Sequence, residues 1–375
     1  GGLAGDALTV AFYNTAVGFA ALSNDLKGVG STAIGHGALT AQQFGASTNA
    51  YNTAVGLSAG AAVTTGTAQV LIGALAGDAI TDADYNVVVG VGALTNDTRG
   101  SRTVAIGHQA LSTQNFISAT NTYNVAVGYD AGGAVTTGTQ NTFIGSLSGD
   151  ANTTASNNTA LGYSSLGANT TGSLNVATGG YALSNNTTAS YNTAMGYGAH
   201  QNAGTSSYNV AIGYQALYNN DQSWGENVAI GYQAGYTIEA GYENIIIGRN
   251  AGYGLTSGYR NVFVGDGAGH LVTTGHSNTV VGRFIGNSGD LDIRTSNNNI
   301  VLSDGDGNIR FHANSSGNVA IGTTNSTYHK LDVAGSLRVD DDSSYEDTGD
   351  NFYGGVVFQT PIYTEYQYVW SGLDD

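Results

Sequence analysis

Few residues of this chain stand at spacings that could do chemistry. Asp304-Gly-Asp-Gly-Asn308 opens like a calcium loop, in which Asp304, Asp306 and Asn308 would bring hard oxygen ligands to one ion. The next residues, Ile309-Arg310-Phe311, lack the later acidic ligand, so a turn between two strands is the stronger reading and no metal is expected. His36 and His108 occupy equivalent positions four periods apart and share no site within one chain. A ring of one histidine from each chain of an oligomer is the way they could converge, and polar surface is the plainer reading. Carboxylates fall in scattered clusters (Asp78, Asp82 and Asp84; Asp340, Asp341 and Asp342) rather than as the facing pair that cuts a glycosidic bond. Without a Walker loop, a zinc motif or an interpretable Ser-His-Asp spacing, the expectation is no enzyme and no cofactor.

Recognition is better placed on aromatic residues where the chain departs from its own regularity. Phe44 and Phe116 each lie nine residues after an equivalent glycine, in stretches that are longer than their counterparts and are expected to protrude as loops. They are receptor-contact candidates, with folding back onto their own coil as the competing reading. Trp224, in the polar arm Asn219-Asn-Asp-Gln-Ser-Trp224, is a third candidate. Tyr363, Tyr366, Tyr368 and Trp370 form a terminal cluster, read as a receptor patch or as the core of a capping element. Tyrosines at two further recurrent positions, among them Tyr51, Tyr85, Tyr123, Tyr191 and Tyr208, then Tyr129, Tyr163, Tyr197, Tyr214 and Tyr232, are expected to form ladders. Stiffening is their first role and sugar binding the second.

What must position these residues is a repeat. The stretch N-[TV]-A-[VI]-G is clean as Asn192-Thr-Ala-Met-Gly196, Asn209-Val-Ala-Ile-Gly213 and Asn227-Val-Ala-Ile-Gly231. Its closing glycine recurs at Gly18, Gly35, Gly56, Gly73, Gly90, Gly107, Gly128, Gly145, Gly162, Gly179, Gly196, Gly213, Gly231, Gly248, Gly265 and Gly282, with nearly every interval 17 residues. A fixed period of this size predicts an all-β, parallel β-solenoid of 17-residue coils, each pairing with its neighbours at about 4.8 Å and the whole extending roughly 75 to 80 Å. The stretch itself reads as a strand of about five residues. A second glycine, as in Gly66, Gly138, Gly172, Gly258 and Gly275, precedes the next ruler glycine by seven residues and is expected to turn a corner with positive φ. Two intervals of 21 residues hold the Phe44 and Phe116 stretches, and the Trp224 interval has one residue extra.

Both faces of the strand are apolar: Val210 and Ile212 share one, Ala211 the other. One face can fill the coil. The other requires a second covering surface, and another copy of the chain is the simplest one.

Composition narrows the partners. Of 375 residues, 57 are glycine, one is proline and none is cysteine, which excludes collagen and a disulfide framework. The formal charge of −17 leaves no basic stripe for nucleic acid. No uninterrupted apolar run of about 18 residues is present, so no membrane insertion is expected. The chain begins Gly1-Gly2 without Met, as a processed product or an excerpt would.

Three regions follow. Residues 1–286 are the repeat shaft. Residues 287–340 form an irregular repeat and junction, in which Asn299-Ile-Val-Leu-Ser303 is a degenerate ruler, Asn318-Val-Ala-Ile-Gly322 restores it once, and the stretch 331–339 closes the rod. Residues 341–375 are an acidic linker and a small aromatic-rich terminal β element.

These units resemble the head repeats of trimeric autotransporter adhesins and, more closely, the repeat shafts of bacteriophage tail fibres. Ile300-Val-Leu-Ser-Asp-Gly-Asp-Gly-Asn-Ile-Arg-Phe, with Ser316-Gly-Asn-Val-Ala-Ile-Gly-Thr-Thr324 and Lys330-Leu-Asp-Val-Ala-Gly335, is similar to the junction that in many such fibres precedes a self-cleaving chaperone. Asn325-Ser326 stands where that family has proline, and no chaperone is recognisable before Asp375. The resemblance implies a parallel homotrimer in an extracellular virion tail fibre, joined at one end to other virion or fibre proteins and presenting a host-receptor-binding end to a cell-surface glycan or protein. A bacterial cell-surface adhesin or filament subunit is the alternative, and a polysaccharide depolymerase the more distant one.

Overall fold

The computed structural model describes residues 1–221, 225–324 and 330–335. It is an all-β right through these residues, a parallel β-solenoid whose coils advance by about 17 residues, with no helix among them. One sheet of twenty strands runs along it. The strands from Thr15–Val17 to Thr279–Val281 pair in parallel, in register, ruler on ruler: Val210 opposite Val228, Ala211 opposite Ala229, Ile212 opposite Ile230. Parallel pairing continues to Ile300–Ser303, where Val280 faces Val301.

Each ruler strand from Thr15–Val17 to Thr279–Val281 is three residues long rather than five. It starts late because the asparagine before it does not use the sheet. The Asn158 backbone N–H donates to the Asn141 side-chain Oδ1 at 3.0 Å, and Asn158 Nδ2 donates to the Gly172 carbonyl at 2.9 Å. The same pair of bonds recurs coil after coil through Asn175, Asn192, Asn244 and Asn261, all fully buried. A buried carboxamide is costly unless satisfied, and here each one satisfies both a backbone donor and a backbone acceptor of its neighbours.

The strand ends at the ruler glycine, where φ lies between 107° and 148°. From Gly18 to Gly265 a Cβ added there would sit under 3.0 Å from the backbone of the next ruler glycine. Backbone passes over backbone at this corner, so a side chain has no room to turn away. The corner glycines differ from expectation. Gly66, Gly138, Gly172, Gly258 and Gly275 do not take positive φ; they are small because the next coil's carbonyl crosses directly over them. The left-handed residues lie elsewhere, and most are not glycine: Tyr208 (63°), Gln215 (50°) and Leu217 (54°) in one coil, with equivalents throughout. Stacking holds these residues in a region that an isolated chain would avoid.

The interior takes the middle residue of each strand. Ala177, Ala194, Ala211 and Ala229 are fully buried, and with them the leucines four residues past the ruler glycine, such as Leu183 and Leu217. Sizes compensate. Where the strand carries a large middle residue, the facing positions are glycine: Gly132 and Gly149 surround Phe143, and Gly60 and Gly77 surround Leu71. The coil is so narrow that a large side chain on one wall excludes one on the other.

The stack ends differently from expectation. Phe284 and Ile293 are buried and Leu291 nearly so, and this group fills the last coil, with a short hairpin of Asn287–Ser288 and Leu291–Asp292 beside it. Of the stretch 331–339, residues 336–339 lie outside the described residues; strand Leu331–Val333 pairs in parallel with Val319–Ile321 at the sheet edge, with Leu331 half-exposed. After Ile300–Ser303 the chain becomes a meander: Ile309–Ala313 runs antiparallel to it, and Val319–Ile321 antiparallel to that. Asn318-Val-Ala-Ile-Gly322 therefore repeats the ruler in letters but joins no coil.

Candidate functional site

The two long intervals are built on buried carboxylates. Asp25 is fully buried; its Oδ2 accepts from Gln42 Nε2 at 2.7 Å, and its Oδ1 from the backbone N–H of Gly28 at 3.0 Å and of Phe44 at 3.3 Å. Asp97 repeats this with Gln114 (2.6 Å), Gly100 (3.1 Å) and Phe116 (3.0 Å). Phe44 and Phe116 are thereby corrected as receptor-contact candidates. They are 4% and 7% exposed, buried rather than protruding, and the backbone N–H of each donates to the buried aspartate of the preceding coil. What the loops expose is their tips, including Ile117 at 85%. In each module the loop adds a two-residue parallel pairing, Gly28–Val29 with Thr48–Asn49 and Gly100–Ser101 with Thr120–Asn121.

Asp304 to Asn308 is the turn between two antiparallel strands. The Asp304 carboxylate is engaged within it: Oδ1 accepts from the backbone N–H of Asp306 (3.0 Å) and Asn308 (2.9 Å), and Oδ2 from Arg310 (2.6 Å). The Asn308 amide and the Arg310 guanidinium hold this carboxyl well below the usual range. His36 stacks on Phe19 and His108 on Tyr129, with ring centroids 5.4 and 5.5 Å apart, so each belongs to an aromatic column of its own. Trp224, Tyr363, Tyr366, Tyr368 and Trp370 lie outside the described residues, as do the acidic cluster at 340–342 and the terminal region 341–375.

The tyrosines form ladders over residues 163–276. Tyr197, Tyr214 and Tyr232 stack at 5.8 and 5.2 Å, and Tyr242, Tyr259 and His276 at 4.9 and 4.4 Å. A further ladder, not read from the sequence, is Tyr218, Tyr236, Tyr253 and His270 at 5.1, 5.2 and 5.2 Å. Burial, then the neighbouring Tyr218, Tyr253 and Tyr214 hydroxyls, raises the pKa of Tyr236. Ring faces stack on ring faces in these three sets, whereas Tyr181 meets Tyr163 and Tyr197 edge-on. The signal was present as Tyr218, Tyr236, Tyr253 and His270, each five residues past a ruler glycine, an offset distinct from those of the tyrosines next to the ruler.

Two surfaces stand out among the described residues. The outer face of the sheet presents the second and fourth ruler positions, and many of these residues are exposed: Val17, Ile72, Ile144, Leu161, Met195, Ile245, Ile247, Val281 and Ile300. The fourth position is apolar from Val17 to Val281 except at Thr178, while the second alternates between apolar residues and threonines such as Thr142, Thr159 and Thr193. The other surface is a polar groove of about 510 Å³ lined by Asn185, Asn202, Gly204, Asn219, Asp221 and Glu239.

Beneath that groove one coil is irregular. His200 stands where its neighbours have Leu183 and Leu217, and Ala203 where they have Asn186 and Asn220. Asn169 and Asn186 pass a bond down this column, Asn186 Nδ2 donating to Asn169 Oδ1 at 2.8 Å, and Ala203 ends the series. Asn186 Oδ1 and His200 Nδ1 are left buried without a partner, while His200 Nε2 meets the Asn220 carbonyl at 3.1 Å. Burial pushes the His200 pKa down to about 4, against the smaller opposing effect of that carbonyl.

No family model, curated protein or solved structure matches this chain, so its functional reading rests on its own residues and geometry.

Proposed function

We propose that this chain is the shaft of a fibre, a structural and adhesive protein rather than an enzyme, which assembles as a parallel homotrimer and carries a receptor-binding end away from its base. The apolar outer face of the sheet carries this reading. Burying exposed Val, Ile, Leu and Met side chains is worth about 25 cal/mol per Å², and the strip extends over the whole array, so three chains that share it gain along their full length. A lone acidic rod would instead leave it in water. The resemblance of the repeats and of the junction to bacteriophage tail fibres supports a place on the virion, outside the cell, with host attachment as the outcome. Weak contacts at the fibre end would then be multiplied by three chains.

The test is the mass in solution. Light scattering on the purified protein is expected to give three times the 38.1 kDa chain mass. Charged substitutions on the strip, such as Ile212→Glu with Ile247→Glu, are expected to release monomers that keep their β signal. A wild-type monomer sinks the shared-face reading. Incubation with capsular polysaccharide is expected to leave chain length unchanged, and shortening would argue for a depolymerase.

A further inference from the structure

We propose that Thr178 fixes how copies of this chain align on one another, holding them parallel and in register along the outer face of the sheet. The proposal rests on the shared-face reading above and adds to it the residue that selects one alignment.

The face calls for a partner with its own period. At the fourth position of the sixteen ruler strands from Thr15–Val17 to Thr279–Val281 stand Val, Ile, Leu and Met, with Thr178 the one polar residue. No charged residue occupies the second or the fourth position of any of them. The strands pair in parallel, residue on residue, so the column presents one side chain at each step of about 4.8 Å. A partner that covers the column coil by coil needs the same step and the same length. A second copy of this chain has both.

The same regularity leaves the alignment open. Two copies displaced by one coil set Val, Ile, Leu or Met against one another almost as well as two copies in register, since only one layer at each end is uncovered. Thr178 removes this freedom. Its neighbours in the column are Leu161 and Met195, paired on either side of it in the sheet. A displacement by one coil sets the Thr178 hydroxyl of each copy against one of these apolar side chains, and its donor and lone pairs are left without a partner. In register, Thr178 meets Thr178 and the hydroxyls can bond one another. A single polar residue in an apolar coiled-coil seam selects register by the same physics.

Polarity follows from where the threonine lies. Counted from Val17, Thr178 is the tenth of sixteen, so an antiparallel pair of full columns would place it opposite the seventh, Val127. Only the parallel arrangement in register brings like threonines together.

The test uses the full-length chain, which has no cysteine, with one cysteine introduced per chain on this face. Ile144→Cys, at the eighth position, reads the register through cross-linking between like residues. Co-expression of Ile144→Cys chains with tagged Leu161→Cys chains reads the alternatives, because a one-coil slip and an antiparallel pair both bring the eighth position to the ninth. With Thr178 present, the mixed cross-link is expected to be about tenfold weaker than the like one, the ratio set by a buried hydroxyl left unsatisfied. Thr178→Val is expected to raise the mixed cross-link to the level of the like one, and Thr178→Ser to keep it low. Thr154→Val, exposed and outside the sheet, is the control and should leave both unchanged. Thermal unfolding and light scattering report the fold and mass of each variant. A Thr178→Val assembly that stays in register, or mixed cross-links as strong as like ones in the parent chain, overturns the proposal. Mass separates the two readings. An assembly whose register ignores Thr178 removes this proposal and keeps the shared face, whereas a wild-type monomer that forms neither cross-link removes both.

Discussion

Asn209-Val-Ala-Ile-Gly213 and Asn318-Val-Ala-Ile-Gly322 are the same five residues in two different structures. The first lies between parallel neighbours in the coil stack. The second lies in a meander, antiparallel to Ile309–Ala313 on one side and parallel to Leu331–Val333 on the other. In both, the central alanine is buried. The glycines differ most. Gly213 has φ 131° and lies under the Gly231 backbone, whereas Gly322 has φ 69° and its closest neighbours, in Ala334, would stand 3.5 Å from an added Cβ. The strand alone therefore asks only for an alanine facing inward. Glycine at the end of it is demanded by the next coil.

That contrast breaks most sharply at the two glycines. Gly213→Ala should cost about 3 to 5 kcal/mol, because the new methyl meets fixed backbone and the φ is open mainly to glycine. Gly322→Ala should cost only about 1 to 2 kcal/mol, the ordinary penalty of a left-handed residue. Denaturant unfolding of both variants measures the gap, and equal losses would refute the stacking argument.

The next largest effect concerns the asparagine. Asn209 Oδ1 accepts from the Asn227 backbone N–H at 3.0 Å, inside the stack. Asn209→Ala strands that buried donor and is expected to cost about 2 to 4 kcal/mol, with hydrogen exchange accelerated first at Asn227 and its neighbours. An exchange pattern unchanged around Asn227 would show that the ladder is decorative.

A smaller effect sharpens the comparison inside the stack, between the coil of His200 and the leucine coils beside it. His200 is buried neutral, so its folded pKa lies below its unfolded value of about 6.5. The unfolded chain then binds the extra proton between the two values. Stability is complete above pH 6.5 and falls as the pH drops toward 4, by at most about 1.4 kcal/mol per pH unit. His200→Leu, which restores the column residue, should abolish this local acid sensitivity. Hydrogen exchange of the coil at pH 5 and pH 7 reads it out.

The smallest expected change is at Arg310→Ala. Its partner Asp304 keeps its backbone bonds in the turn, and an exposed ion pair contributes little. An unchanged melting temperature is expected, and a marked drop would show that the turn depends on the pair.

Much of the fold was legible because the repeat is strict. Glycine spacing, strand position and strand direction all follow from residues such as Gly196, Gly213 and Gly231, whose interval states the coil length. The buried asparagine series is visible as letters, but its role is not, since its bonds run between residues about 17 apart. Phe44 and Phe116 were misplaced for the same reason. Their backbone N–H groups donate to Asp25 and Asp97, each one coil away, and no local pattern marks an aspartate as buried.

By itself, then, the sequence determined the period, the all-β class, the parallel order of the strands and the places where regularity fails. Periodicity is a property of one chain read along its length, so one chain suffices. The tertiary structure alone decided which strand face turns inward, that Phe143 and Leu71 require glycine opposite them, and that the last copy of the ruler leaves the stack. Each depends on how tightly the backbone curves and on what lies a full coil above or below. Alanine went inward and the larger Val and Ile went outward because a coil of 17 residues encloses too little space for both walls to be large. That choice leaves the Val and Ile side chains of the fourth ruler position on the surface of this chain.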